Sequence, residues 1–373
     1  MMGGVGLLRR LQRKFFLLML MGLVLFGTVY AGYDGNGPDY GIYWFGDAKT
    51  GQKAVSGGVN PYFNPNMPTI IYIHGWQTTC TVSPYRATFD YEVDGTVYDL
   101  AETWLNRGWN VGIFYWNQFA DELDVRNAEA KIWSAEGRYG MRWRKQDGSY
   151  STAGVPPGKS VGDLLAEAYC QAMAGYRGNN VRIAGHSLGN QLAVALARMI
   201  YERAAAGEIP ANLVPKRVAL LDPFWSNGAK DYLNGRWTGE VVREYVGFLA
   251  ERGVVFEQYK SSAILDLGIG DKNRDLEKKT AYTRIYPWYI PAVDVAGRHN
   301  AAKFIYFQSF QNPPPVELQL FHPGQLLPTG KAAASAATPD ERIREMMETG
   351  GHWEQVKGLY TVATDDDRFL FVK

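Results

Sequence analysis

Cysteine is almost absent from this chain. Two residues, Cys80 and Cys170, cannot build the disulfide lattice on which small extracellular scaffolds depend. They could close one disulfide in an oxidising compartment, or stand as two unrelated thiols with Cys170 packed on a helix face. The five histidines are scattered, and no Cys/His group has the spacing of a zinc site. An excess of one charge is lacking too. A formal net charge of +1 gives no electrostatic footprint for nucleic acid. There is no internal repeat and no low-complexity tract. One long apolar run occurs, near the N-terminus, and no second run of spanning length follows it.

That run belongs to an address. Arg9, Arg10, Arg13 and Lys14 form a basic head, Phe15 to Tyr30 is apolar, and Val29-Tyr30-Ala31 is a plausible cleavage site before Gly32. Residues 1–31 therefore read as a secretory signal peptide, with an uncleaved membrane anchor as the rival, and the product is expected outside the cytoplasm, secreted or periplasmic. The remaining 32–373 are expected to form one large α/β domain, for which a chain 46% hydrophobic supplies ample core.

The stretch from Asn179 to Gly207 organises the rest. Val181 to Ala184 reads as a short buried strand. Gly185-His186-Ser187-Leu188-Gly189 is a G-x-S-x-G pentapeptide. Leu192, Ala195, Leu196, Met199 and Ile200 then recur at helical spacing. The pentapeptide alone is a weak signal, but strand, tight turn and helix form the setting of a nucleophile elbow. Such a turn strains the central residue and holds its hydroxyl clear of the backbone at the positive end of the next helix.

Other buried strands are expected at Thr69–Ile73, Asn110–Trp116 and Arg217–Leu221, where apolar runs suit cover on both faces, with one more at Val254–Tyr259. Residues 32–63 read as short strands and turns at an antiparallel edge, and Ala87 to Arg107 as a helical or mixed excursion. Strands alternating with helical segments predict a mostly parallel central sheet flanked by helices, the α/β class. Residues 117–160 and 226–298 look like long insertions, as surface decoration or as a lid over the site.

A serine hydroxyl needs a base, an acid to orient the base, and donors for the oxyanion. The Leu188 N–H is placed by the elbow, and the His74-Gly75-Trp76 turn can supply the second donor through the Trp76 N–H. His74 and His186 are expected to pack rather than act as the base. For the acid, Asp222 ends a predicted strand, with Asp266 as its rival. For the base, His299, His322 and His352 remain, and His299 sits best, ahead of an apolar segment. The Asp365-Asp366-Asp367 run lacks the spacing of a calcium loop and is expected to be a solvated turn, so neither metal nor cofactor is called for.

These motifs resemble those of the secreted α/β-hydrolases of the pancreatic-lipase-like group. IIYIHGWQ resembles that family's strand and oxyanion loop, AGHSLGNQLA its elbow, and LLDPFW its acid site, which follows the strand immediately after the elbow helix. RHNAAKFIYFQSF is similar to its histidine segment. The resemblance covers roughly Asn64 to Gln311. It implies an α/β-hydrolase fold and a catalytic set of Ser187, Asp222 and His299, with Trp76 and Leu188 as oxyanion donors. It further implies hydrolysis of carboxylic esters, chiefly of lipids, with contact to lipid aggregates and no nucleic acid partner. Two cysteines cannot make that family's disulfide framework, and residues 117–160 have no counterpart in it. A short-chain esterase, phospholipase or acyltransferase on the same triad, and a non-catalytic lipid-binding relative, are the other readings.

Overall fold

The computed structural model describes residues 37–373 except 94, 267 and 323, so the basic head and apolar run of residues 1–31 lie outside it. Twelve strands form one sheet: β1 (Gly41–Phe45), β2 (Gly51–Lys53), β3 (Thr69–Ile73), β4 (Asn110–Tyr115), β5 (Val181–His186), β6 (Arg217–Leu221), β7 (Val255–Lys260), β8 (Ala281–Arg284), β9 (Val316–Phe321), β10 (Gln325–Ala332), β11 (His352–Lys357) and β12 (Arg368–Val372). Their spatial order is β10-β9-β12-β11-β8-β7-β6-β5-β3-β4-β1-β2. From β4 through β11 every neighbouring pair is parallel. The β1–β2 edge is antiparallel, as expected.

The longer helices among the described residues are α1 (Val125–Trp133), α2 (Val161–Ala172), α3 (Gly189–Ala205), α4 (Thr238–Ala250), α5 (Val295–Ser309) and α6 (Asp340–Glu348). They cover both faces of the sheet. Successive strand side chains point to opposite faces, so each central strand feeds two cores. Ile71 and Ile73 of β3 join Leu164, Leu192 and Val242 of α2, α3 and α4 on one face. Ile70 and Tyr72 join Ala301 and Phe304 of α5 and Ile343 of α6 on the other. A mostly parallel sheet between two helical layers is the doubly wound α/β arrangement.

The four other expected strands became β3, β4, β6 and β7 within a residue of their expected limits. Residues 87–107 are mixed, as expected, with a small hairpin, Asp90–Val93 against Thr96–Asp99, before the short helix Glu102–Asn106. Two expectations are corrected. Residues 226–298 are no insertion, since they carry α4, β7 and β8. Residues 117–160 are not surface decoration, and their buried side cannot move as a lid, because Phe119, Val125, Ala128, Ile132, Met141 and Trp143 lie in the main core. Cys80 and Cys170 are both free, so the single-disulfide alternative falls.

Residues 310–373 extend the same sheet. Buried Arg217 on β6 forms a two-toothed ion pair with Glu257 on β7 and donates to the carbonyls of Ser335 and Thr338, which ties this segment to the sheet centre. Of the aspartate run, Asp365 and Asp366 are exposed, but Asp367 is buried against the Gln355 amide at 2.7 Å. Burial pushes its carboxyl up from the ordinary 3.8 to about 8. A raised carboxylate favours the fold below its unfolded value and loses that contribution as pH climbs toward 8. Asp367→Asn keeps the Gln355 contact and removes the titration. It is expected to stabilise the fold by roughly 1–3 kcal/mol at pH 8 and by less at pH 5. Urea unfolding at both values checks this, and equal shifts at both would refute it.

Candidate active site

The site forms at the carboxyl ends of the parallel strands. The connection from β3 leads to β4 on one side, and that from β5 leads to β6 on the other. The crevice between β3 and β5 is thus a switch point, where α/β sheets place their ligands. Ser187 leaves β5 with φ of +56°, left-handed for a non-glycine residue. Four contacts hold that strain. The Ser187 N–H donates to the Leu221 carbonyl at 3.2 Å, and the Ser187 carbonyl accepts from Asn190 N–H, Phe224 N–H and the Asn190 amide. The Asn190 amide also brackets Leu221, bonding its carbonyl and its N–H, so the elbow and the end of β6 are fixed together.

The glycines follow from crowding. A Cβ on Gly189 would stand 2.1 Å from the Ile73 carbonyl oxygen, and one on Gly185 would stand 2.7 Å from the Asn190 Cα. A Cβ on Gly75 would meet Ser187 Cβ at 2.5 Å. The pentapeptide and the His-Gly turn are therefore two sides of one contact, which local sequence alone does not show.

Asp222 follows β6 directly, 2% exposed, with φ of +37°. Its carboxylate accepts from Ser261 N–H (3.0 Å), Ser262 N–H (3.4 Å) and the Ser262 hydroxyl. Its Oδ2 also accepts from His299 Nδ1 at 2.6 Å. A carboxylate can only accept here, so Nδ1 carries a proton, and in the neutral imidazole Nε2 is then the nitrogen with the free lone pair. His299 lies in the second turn of α5, with its side chain 13% exposed. Ser187 Oγ makes no hydrogen bond among the described residues, and such contacts commonly tighten when substrate binds.

The rival groups go elsewhere. Asp266 is exposed and paired with Lys272 and Lys260. His322 is exposed in the β9–β10 turn. His352 begins β11 and pairs with Glu354 at 3.0 Å. His186 is buried; its Nε2 donates to the His299 carbonyl at 3.0 Å and the two rings lie 4.4 Å apart. Burial, with His299 alongside, keeps its value well below 6.5, so the ring is neutral.

Buried His74 is likewise neutral, its value lowered by burial to about 3. It accepts from the Trp116 N–H and donates from Nδ1 to the Gly75 carbonyl at 2.9 Å. Because the peptide is planar, fixing that carbonyl also fixes the direction of the Trp76 N–H on its far side. Leu188, fully buried, presents its N–H at the head of α3. Sequence patterning does not single out the supports Asn190, Ser261 and Ser262. Only Ser261-Ser262, a polar pair closing a predicted strand, left a trace that could have been read.

No protein-family model matches the chain, and no curated protein sequence matches it. Among solved structures it is similar to a poly(3-hydroxybutyrate) depolymerase from Bordetella parapertussis (12% identity, 64% of this chain and 66% of that one, TM-score 0.30). It is also similar to a probable hydrolytic enzyme from Pseudomonas aeruginosa PAO1 (15%, 56% and 48%, TM-score 0.24) and to the thioesterase domain of the curacin biosynthetic pathway (12%, 64% and 82%, TM-score 0.24). The chain thus spans just under two thirds of the first of these and about half of the second. Overlaps this loose leave the chemistry of the site resting on its own geometry.

Proposed function

We propose that this protein is a serine hydrolase of carboxylic esters, most naturally lipid esters, acting through Ser187, His299 and Asp222 and an acyl-enzyme. The observation that supports it best is the 2.6 Å contact from His299 to a fully engaged, buried carboxylate, beside a serine held at positive φ. In this reading His299 Nε2 takes the Ser187 proton as Oγ attacks the ester carbonyl, then delivers it to the leaving alcohol. Asp222 holds the imidazole in the required tautomer and stabilises the imidazolium. The Trp76 and Leu188 N–H groups receive the oxyanion, where loss of one donor typically lowers turnover about 10²–10³-fold. Water, activated by the same imidazole, then frees the acyl group, with no cofactor needed for any step.

Export is part of the proposal and rests on residues 1–31, outside the described residues. Within the described residues no helix is long and apolar enough to cross a membrane. A fluorophosphonate probe tests the central claim, because only an activated serine is phosphonylated at a useful rate. The folded protein should be labelled on the peptide containing Ser187. A protein that stays unlabelled with and without detergent would instead fit a non-catalytic lipid-binding relative.

A further inference from the structure

We infer that the segment from Asn117 to Arg144 is a brace that holds the oxyanion loop in its working position before substrate arrives, with Asp121 as its positioning residue. This rests on the ester-hydrolase reading. The loop that carries the Trp76 N–H runs on through Thr81, and the brace grips it along that length. The Trp76 indole N–H donates to the Glu122 carbonyl at 2.7 Å. Asp121, wholly buried, accepts from Thr79 N–H at 2.6 Å with Oδ1 and from Thr81 N–H at 2.9 Å with Oδ2. The Asn117 amide donates to Gln77 Oε1 at 2.5 Å.

Thr79 has φ of +65°, a conformation that a β-branched residue adopts only when its surroundings impose it. The carboxylate that takes its N–H imposes it here. The brace is itself fixed at depth. Arg144 pairs with Asp121 Oδ1 at 2.9 Å, while Lys131 at 2.8 Å and Arg142 both pair with buried Glu122. On the far side of the same segment, Glu129 of α1 accepts from Gln191 of α3 at 2.6 Å and from the Ser226 N–H, beyond Asp222, at 2.9 Å. One element thus joins the oxyanion loop, the elbow helix and the acid loop. An oxyanion donor secured by a buried carboxylate needs no interface to assemble it, so the site is ready for single ester molecules in water.

Asp121→Asn tests this with little change of shape. The amide keeps an oxygen for Thr79 and Arg144, but its NH₂ faces the Thr81 N–H, donor against donor. Its kcat should fall about 10- to 100-fold with KM held within about threefold, because the oxyanion donor acts in the transition state. Its rate of fluorophosphonate labelling should fall by the same factor. Trp76→Phe keeps the backbone donor and an aromatic ring but loses the indole N–H and part of the packing, and should lower kcat about 3- to 10-fold, which keeps the test open if the first variant folds poorly. Wild-type protein should be labelled in plain buffer. Labelling that appears only with detergent or phosphatidylcholine vesicles overturns the preformed site. Equal kcat and labelling in wild type and both variants overturns the brace while leaving the hydrolase reading intact. No labelling of wild type under any condition sinks both.

Discussion

Ser187→Ala is expected to lower kcat for a carboxylic ester by about 10⁵–10⁶-fold, the loss typical when the nucleophile of a cooperating set is removed. KM and the unfolding midpoint should stay near wild type. Alanine keeps the Cβ that packs against Gly75 and keeps the backbone contacts of residue 187 with Leu221, Asn190 and Phe224. Strain at positive φ is nearly the same for alanine as for serine, so stability gives no cover for the loss. Initial rates on an ester series, read beside a urea melt, make the check. Turnover that survives within tenfold would mean that the hydrolysis comes from another group, and the elbow would be a βα turn with a capping serine.

The second large effect separates the histidines. His299→Ala should lower kcat by about 10⁴–10⁶-fold, since neither proton transfer nor the orienting carboxylate can then act on Ser187. His352→Ala should leave kcat within about twofold. Its ring pairs with Glu354 on β11, and β11 lies four strands from β5, roughly 19 Å across the sheet at about 4.8 Å per strand. Kinetics of the two variants side by side decide the matter. The reverse pattern, His352 essential and His299 dispensable, would show that the base is misassigned and that the Asp222–His299 contact is an ordinary structural pair.

Legibility followed burial. The central strands could be read because each is covered on both faces and so carries an unbroken apolar run, as in Thr69–Ile73 and Arg217–Leu221. Strands β9 to β12 could not. β10, Gln325–Ala332, contains Pro328 and Gly330 and reads as loop; it survives as a strand because it sits at the sheet edge, where a missing N–H breaks no ladder. The segment 117–160 misled for a related reason. Its charges suggested a solvated surface, yet four of them are buried, Asp121 and Glu129 on distant partners such as Thr81 and Gln191, and Glu122 and Lys131 on each other.

Local sequence by itself determined the elbow, its strand and helix, and the aspartate that closes the following strand, because all three are set by turn chemistry and burial within a few residues. Only the tertiary structure set Asp222 rather than Asp266, and His299 rather than His352, into one hydrogen-bonded pair, and bound a charged segment to the loop that carries Trp76. Those outcomes depend on which side chains meet across the sheet, and hydrogen bonds over separations of 40 to 80 residues leave no periodic trace in the chain that forms them.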